Sequence, residues 1–261
     1  MKLDALVAEI GSTTTLVSGF AGLAGTPVFA GQGMAPTTAH LGDVTLGLQA
    51  AVDNLKQNLG AGELSWDRML AASSAAGGLT MSVHGLVYDM TARAAQLAAL
   101  GAGAVVRQVT AGKLGPYDLK ALRQLSPNLI LLAGGTDFGD RETAVFNARR
   151  IAELRLSIPV LYAGNCAAAD EARGIFEAEG QPLCVVENVY PRLDELNIEP
   201  ARRAIQDLFE THIVKAPGMA RIREMVGGTI LPTPGAVMEA VRVLHPALGD
   251  LLAVDIGGAT T

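Results

Sequence analysis

The stretch Glu9-Ile-Gly-Ser-Thr-Thr-Thr15 lies near the amino end of the sequence, and Asp255-Ile-Gly-Gly-Ala-Thr-Thr261 repeats its pattern at the other end. Four of the seven positions are identical, and a fifth pairs one acidic residue with another. Each copy follows a short apolar run, Leu6–Ala8 or Leu251–Val254, which predicts a strand that ends in a glycine turn. The repeat therefore predicts two similar strand-and-loop units in one chain.

These turns carry residue types that bind phosphate and a metal ion. Glycine lets the backbone approach a ligand closely, so that amide hydrogens and nearby Ser and Thr hydroxyls can donate to phosphate oxygens. Mg²⁺ is typically held by one or two carboxylates together with nucleotide phosphates, and Glu9 and Asp255 can supply such carboxylates. Either turn alone favours a structural role, whereas two copies favour a phosphate clamp around a common cleft.

The residues around the first copy predict a small antiparallel sheet. Apolar runs separated by glycine turns predict strands at Leu6–Ile10, Leu16–Phe20 and Pro27–Gly33. Apolar residues at helical spacing over Val44–Leu59, with Asp43 near the start, predict the helix that follows.

The middle of the sequence alternates short apolar runs with helical stretches, which predicts βαβ units and a mostly parallel, doubly wound sheet. The predicted strands are Met69–Ala72, Ala104–Val109, Leu129–Ala133, Pro159–Ala163 and Leu183–Val186. The predicted helices are Met90–Leu100, Tyr117–Leu125, Arg141–Leu154 and Ala167–Glu179.

The last part of the sequence predicts a helix opened by Pro200, a second helix over Ala236–Leu244 stopped by Pro246, and a final strand over Leu251–Ile256. We therefore expect an α/β protein with three segments. They are residues 1–65, an inserted domain over 66–190, and a segment over 191–261.

Two glycines and two polar residues follow the central predicted strand: Gly134, Gly135, Thr136 and Asp137. Ligands bind at the carboxyl ends of strands in doubly wound sheets, so these residues are candidates for binding a cofactor or a partner. Tight-turn and helix-capping roles for the same four residues are the somewhat favoured alternative. Tyr162–Asn165 ends the next strand in the same way, and such turns on one edge would form a pocket.

Composition excludes several classes of function. The net charge of −6, without a run of basic and aromatic residues, argues against nucleic acid as a partner. No leader pattern and no apolar run of about 20 residues is present, so we expect a cytoplasmic protein without a membrane partner. Cys166 and Cys184 lie far apart in the sequence and have no histidines near them. We therefore expect both to be buried, and neither a disulfide nor a zinc site.

The two acidic turns resemble the phosphate loops of the superfamily of sugar kinases, actin and heat-shock chaperones, which read Asp-x-Gly-x-Thr and Asp-x-Gly-Gly-x-Thr. The resemblance implies an incomplete actin-like ATPase (ribonuclease H-like) subdomain carrying an inserted Rossmann-like domain. It implies ATP and Mg²⁺ as ligands, Glu9 and Asp255 as metal ligands, and Asp255 also as a catalytic residue. The implied nucleotide-binding residues are Glu9, Gly11, Ser12, Thr13, Thr14, Asp255, Gly257, Gly258 and Thr260.

Within that superfamily the sequence resembles most the glutamate mutase accessory protein family (MutL or GlmL type, unrelated to the mismatch-repair protein of similar name). Its members are thought to be ATP-driven reactivating chaperones, so the resemblance implies an adenosylcobalamin-dependent mutase, such as glutamate mutase or an aminomutase, as partner. Besides the two acidic turns, the blocks that carry this likeness are Gly33–Thr38, Gly42–Thr45, Leu131–Asp137, Tyr162–Asn165 and Pro232–Gly235.

Two departures shape what we expect of the 261-residue chain. Glu9 stands where most of the superfamily has Asp, which places its carboxylate one methylene farther out. The sequence stops inside the second loop, so the adenine-binding residues are expected beyond Thr261. Slow Mg-ATPase activity is therefore expected of a longer protein, and weak or absent nucleotide binding of this chain.

Two other functions stay open on the sequence. A small-molecule kinase would use the same phosphate loops but needs a carboxylate base beside an acceptor pocket, and no residue stands out for that role. A Rossmann-like module that binds a ligand by itself is the other reading. The sequence also leaves open whether identical chains assemble.

Overall fold

A computed structural model describes residues 1–74, 79–213, 218–227 and 230–257, without the side chains of residues 210–213. The chain divides into two compact units. Unit 1 is Met1–Gly78 with Phe209–Thr261, and unit 2 is Leu79–Leu208. The boundaries expected near residues 66 and 190 differ from this division. One reason is that Ser65–Ser73, which the sequence assigned to the middle domain, pairs with the first strand of unit 1.

Unit 1 contains a five-stranded mixed sheet in the order β10-β4-β1-β2-β3. Its strands are β1 (Lys2–Ile10), β2 (Thr14–Ala21), β3 (Val28–Pro36), β4 (Ser65–Ser73) and β10 (Ile230–Pro232). The first three are antiparallel, as the sequence predicted. β4 runs parallel to β1, and β10 runs parallel to β4. The three parallel strands therefore end at one edge of the sheet.

Three helices accompany this sheet in the described part of unit 1: α1 (Thr45–Asn58), α7 (Met219–Val226) and α8 (Thr233–Leu248). The predicted helix after the third strand is confirmed as α1, which packs against β2 and β3. Its buried side chains include Leu48, Ala51 and Leu55. Gly33 in β3 allows the close approach, because a Cβ atom there would collide with the backbone of Ala51 and Leu55.

Replacing Gly33 by Ala is expected to destabilise unit 1 by about 2 kcal/mol, because the colliding atoms belong to the backbone of α1 and cannot rotate away. Urea unfolding followed by circular dichroism measures the change. Gly62→Ala is the control, since an added Cβ at Gly62 meets no atom within 4 Å. Equal unfolding midpoints for the two variants would show that α1 adjusts to the added methyl group.

Unit 2 contains a five-stranded sheet in which every strand pair is parallel, in the order β6-β5-β7-β8-β9. Its strands are β5 (Thr80–Gly85), β6 (Val105–Ala111), β7 (Leu129–Leu132), β8 (Val160–Tyr162) and β9 (Leu183–Val185). Its helices are α2 (Arg93–Gly101), α3 (Pro116–Leu125), α4 (Glu142–Ala152), α5 (Ala169–Ala178) and α6 (Glu199–Ile213), the last of which continues into unit 1. All four residues of β7 are buried, as expected of a parallel strand covered on both faces.

The sequence failed to predict β5, although this strand lies inside the sheet between β6 and β7. Its polar residues Ser82 and His84 interrupt the apolar pattern that marks a buried strand. Both are fully buried, and they are satisfied by hydrogen bonds. His84 Nδ1 lies 2.8 Å from the Thr110 hydroxyl, and Nε2 lies 3.2 Å from the Ser82 hydroxyl.

Predictions for the carboxyl-terminal segment were partly wrong. The expected strand over Leu251–Ile256 is absent, because no described strand pairs with this segment and its apolar side chains after Leu251 are exposed, Leu252 by 90%. The second helix runs through Pro246 to Leu248 instead of stopping at the proline, whose missing N–H falls near the exposed end of the helix. Helix α7 and strand β10 were not predicted.

Candidate functional site

The carboxyl edge of the sheet in unit 1 gathers the first predicted loop with the ends of two other strands. Register places Ile10 of β1 level with Ser73 of β4, and Ser73 level with Pro232 of β10. The Ile10 carbonyl accepts hydrogen bonds of 3.0 Å from both the Ser73 hydroxyl and the Ser74 amide. Glu9 precedes this row by one residue and is exposed.

The loop after β1 is a tight turn that depends on Gly11. The Gly11 amide donates to the Thr14 carbonyl at 3.0 Å, and a Cβ at Gly11 would lie 2.6 Å from that oxygen. The Thr13 carbonyl accepts from the Thr37 amide at 2.9 Å, which ties the turn to the end of β3. Ser12, Thr13 and Thr14 are exposed, so their hydroxyls can reach a ligand.

The second acidic residue acts on the first through its charge. Although Glu9 is exposed at the surface, neighbouring protein atoms displace part of the water around its carboxyl group and raise its pKa, and the negative charge of Asp255 raises it further. This effect requires the two carboxylates to be close enough for their charges to interact. Both residues belong to unit 1, although they are 246 positions apart in the sequence.

Little can be said about the other residues of the second loop that were predicted to bind nucleotide. Gly257 is exposed at the end of the described segment. Gly258 and Thr260, predicted to contact phosphate, lie outside the described residues.

Thr233 is a residue of this edge that the sequence analysis did not single out. It directly follows β10 as the first residue of α8 and is only 7% exposed. Its hydroxyl oxygen has no hydrogen-bond partner in the described part of the chain. A Thr-Pro pair is typical of a helix start, but only the structure, in which β10 precedes the pair, places that start at the same sheet edge as the predicted phosphate loop.

In unit 2 the predicted glycines permit close packing of neighbouring turns. A Cβ at Gly135 would lie 2.7 Å from the Asp140 carbonyl oxygen, and one at Gly134 would lie 3.0 Å from the Ala144 methyl group. Gly164, in the turn after β8, approaches the Gly134 backbone in the same way. The turns after β7 and β8 therefore lie together, and Gly134 and Gly135 have the tight-turn role that the sequence left open.

Two buried asparagines hold this edge of unit 2 together. The Asn165 carboxamide accepts from the amides of Phe138 and Ala167 and donates to the carbonyls of Gly139 and Asp140, all at 2.9 to 3.2 Å. Asn188 donates to the Gly135 carbonyl and to Asp137 Oδ1, both at 3.0 Å. Asp137 Oδ1 also accepts from the Cys166 amide at 2.9 Å, so this oxygen is already hydrogen-bonded within unit 2. Thr136, the other predicted polar residue here, is half-buried.

A cavity of about 500 Å³ opens beside these turns in unit 2, with Asp137, Phe138 and Cys166 among its lining residues. This volume is that of a small-molecule site. Cys166 was expected to be buried, but it is exposed, because it begins the short 3₁₀ turn after β8. Both cysteines are free.

The described helices include none that is long and apolar enough to span a membrane. Clusters of three or more His, Cys, Asp or Glu side chains with the geometry of a metal site are likewise absent from the described residues.

Comparison with known proteins identifies the family. Residues 5–261 match the model of the family described as MutL protein. Over 225 residues the sequence is 43% identical to Protein MutL of Clostridium tetanomorphum. The match covers 84% of this chain and 49% of that relative, so the chain spans about half the relative's length.

Similarity to solved structures is weak. The sugar isomerase domain of an RpiR transcription factor from Sphaerobacter thermophilus aligns with a TM-score of 0.33 and 18% identity, over 56% of this chain and 76% of that one. A glycerol dehydratase reactivase aligns with a TM-score of 0.24 and 14% identity, over 88% and 41%. Neither TM-score is high enough to support a conclusion about this protein. The sequence match shows that the chain belongs to the MutL protein family.

Proposed function

We propose that the protein is an ATP-binding accessory protein that reactivates an adenosylcobalamin-dependent mutase, such as glutamate mutase or an aminomutase. The electrostatic interaction between Glu9 and Asp255 carries the proposal, because it links the first acidic turn, at the carboxyl edge of the sheet in unit 1, with the acidic residue of the second turn. Membership in the MutL family supports the accessory role.

The residues at this edge fit a nucleotide with its metal ion. The negative charge of Asp255 opposes the ionisation of Glu9, and a divalent cation held by both carboxylates would relieve this repulsion. Bound Mg²⁺ would neutralise charge on the phosphate oxygens. Glu9 and Asp255 would hold the ion, and Asp255 would also act in hydrolysis. The exposed hydroxyls of Ser12, Thr13 and Thr14 would donate to the phosphates.

The sheet order supports an actin-like ATPase subdomain of the ribonuclease H type. Three antiparallel strands followed by two strands parallel to the first are the arrangement in which the first phosphate loop lies between β1 and β2. Unit 2 is then the domain inserted after β4, and its chain returns to unit 1 before β10.

Asp255→Asn is expected to weaken MgATP binding about tenfold, because it removes one of two negative charges available to the metal ion. Isothermal titration calorimetry with MgATP, on the protein at its full encoded length, measures the change. Asp250→Asn is the matched control, since Asp250 is exposed in the same segment and pairs only loosely, at 3.7 Å, with His245. Failure of the unmodified protein to bind MgATP would refute the proposal.

The partner is tested separately. A mutase holoenzyme inactivated by damaged cofactor is expected to regain activity when the accessory protein, MgATP and fresh adenosylcobalamin are added together. The Asp255→Asn variant is expected not to restore activity. Recovery of equal size without ATP would remove the nucleotide from the mechanism.

A ligand-binding role for unit 2 is a second candidate, favoured by the cavity beside Asp137 and Phe138. Such a site could act together with the nucleotide site or independently of it. Thermal-shift measurements with nucleotides, cobalamins and mutase subunits would identify its ligand. A shift with the kinase-type combination of ATP and a small metabolite, without a mutase, would instead favour a metabolic kinase.

A further inference from the structure

The start of α8 has the properties of an anion-binding site. This helix is 16 residues long, and among the described residues no side chain caps its amino end. The first amides of a helix lack partners within the helix and carry a partial positive charge. In α8 these amides are those of Thr233 and Gly235, because Pro232 and Pro234 have no amide hydrogen. Helix starts of this kind bind phosphate groups.

Thr233 supplies an independent indication that something binds there. Its hydroxyl is buried at the first position of α8 and is not hydrogen-bonded in the described structure. A buried hydroxyl without a partner costs about 1 to 3 kcal/mol, because it has lost water and gained nothing in return. An acceptor oxygen brought by a ligand would remove that cost.

The position of α8 decides which part of the ligand it meets. β10 is separated from β1 by β4 alone, so the start of α8 and the Gly11 turn lie at strand ends about 10 Å apart, two inter-strand spacings. One phosphate group cannot contact both. A chain of phosphates lying across the edge can do so, with different phosphates held by the two elements.

We propose that the start of α8 and the Thr233 hydroxyl hold the terminal phosphate of bound ATP. This phosphate carries more negative charge than the inner ones, so it gains most from the positive end of a helix. The site then distinguishes ATP from ADP, since only ATP reaches α8. This inference rests on the proposed nucleotide function and adds to it the residue that senses the terminal phosphate.

Thr233→Val tests the inference, because valine has the shape of threonine without its hydroxyl. The affinity for MgATP is expected to fall about five- to tenfold, while the affinity for MgADP stays unchanged. The nucleotide-free variant is expected to melt at a higher temperature than the unmodified protein, since an unsatisfied hydroxyl has been replaced by a methyl group. A hydroxyl with a purely structural role would give the opposite change in melting temperature and no difference between the nucleotides.

Two further variants keep the test decisive. Thr233→Ser retains the hydroxyl and is expected to bind MgATP like the unmodified protein. Thr143→Val changes a threonine of equal exposure, 7%, near the start of α4 in unit 2, and is expected to leave both nucleotide affinities unchanged.

The outcomes separate this inference from the function on which it rests. Calorimetry on the full encoded length of the protein gives both affinities. If the unmodified protein binds MgATP and Thr233→Val lowers the MgATP and MgADP affinities equally, or lowers neither, the role of α8 is refuted and nucleotide binding stands. If the unmodified protein binds neither nucleotide, both proposals are refuted.

Discussion

Replacing Asn165 by Ala is expected to destabilise unit 2 by about 3 kcal/mol, because several backbone groups lose their partner at once. The fully buried carboxamide satisfies the amides of Phe138 and Ala167 and the carbonyls of Gly139 and Asp140. Alanine satisfies none of them, and water replaces the lost bonds only where these turns reach the surface. Urea unfolding monitored by circular dichroism measures the loss.

Hydrogen exchange adds a local measurement. The amides of Phe138 and Ala167 are expected to exchange faster in Asn165→Ala, while amides in β1 keep their rates. Asn58→Ala is the control, since the exposed Asn58 donates to Gln32 and Asn54 without holding turns together. Similar destabilisation by both substitutions would contradict the special role of Asn165.

Acidification is expected to destabilise unit 2 by up to about 3 kcal/mol through His84 alone. Burial lowers the pKa of His84 to about 4, and the charge of Asp118 opposes that shift only in part. The unfolded chain has an ordinary histidine pKa of about 6.5. Between the folded-state and the unfolded-state pKa, the unfolded state therefore binds a proton at His84 and the folded state does not. The stability associated with neutral His84 is therefore complete above pH 6.5 and decreases as the pH falls toward 4.

Unfolding free energies measured from pH 7 to pH 4.5 in unmodified protein and in His84→Gln test this expectation. Carboxylates contribute to the pH dependence of both proteins, so only the difference in slope reports on His84. The variant is expected to lose less stability over this range. His40→Gln is a control, because His40 is exposed in unit 1. Parallel curves for unmodified protein and His84→Gln would show that the buried ring does not control the acid response.

Much of the fold was predictable because periodicity and glycine punctuation are local signals. The first three strands, α1 and the alternating elements around β7 and β8 follow such signals and are confirmed. Strand β5 was missed because Ser82 and His84 are polar, and they are compatible with burial only because His84 bonds both Ser82 and, across the sheet, Thr110. That contact is long-range and leaves no local pattern.

The candidate site was predictable only in part. The repeated acidic turns indicated that Glu9 and Asp255 act together, and in the structure the charge of Asp255 contributes to the raised pKa of Glu9. The other residues of this edge are placed there by strand pairing. The sequence assigned β4 to the wrong sheet and missed β10, so neither Ser73 nor Thr233 could be placed beside the first loop before the register was known. The strand predicted over Leu251–Ile256 was wrong because an apolar run does not specify the neighbouring strand with which it would have to pair.

The division into two units has a practical consequence for spectroscopy. The single tryptophan, Trp66, belongs to unit 1, whereas the four tyrosines, at positions 88, 117, 162 and 190, belong to unit 2. Indole fluorescence therefore reports on the environment of one unit and near-ultraviolet tyrosine bands on the other, in the same sample. Unfolding of the two units can thus be followed separately by intrinsic probes, without any attached dye.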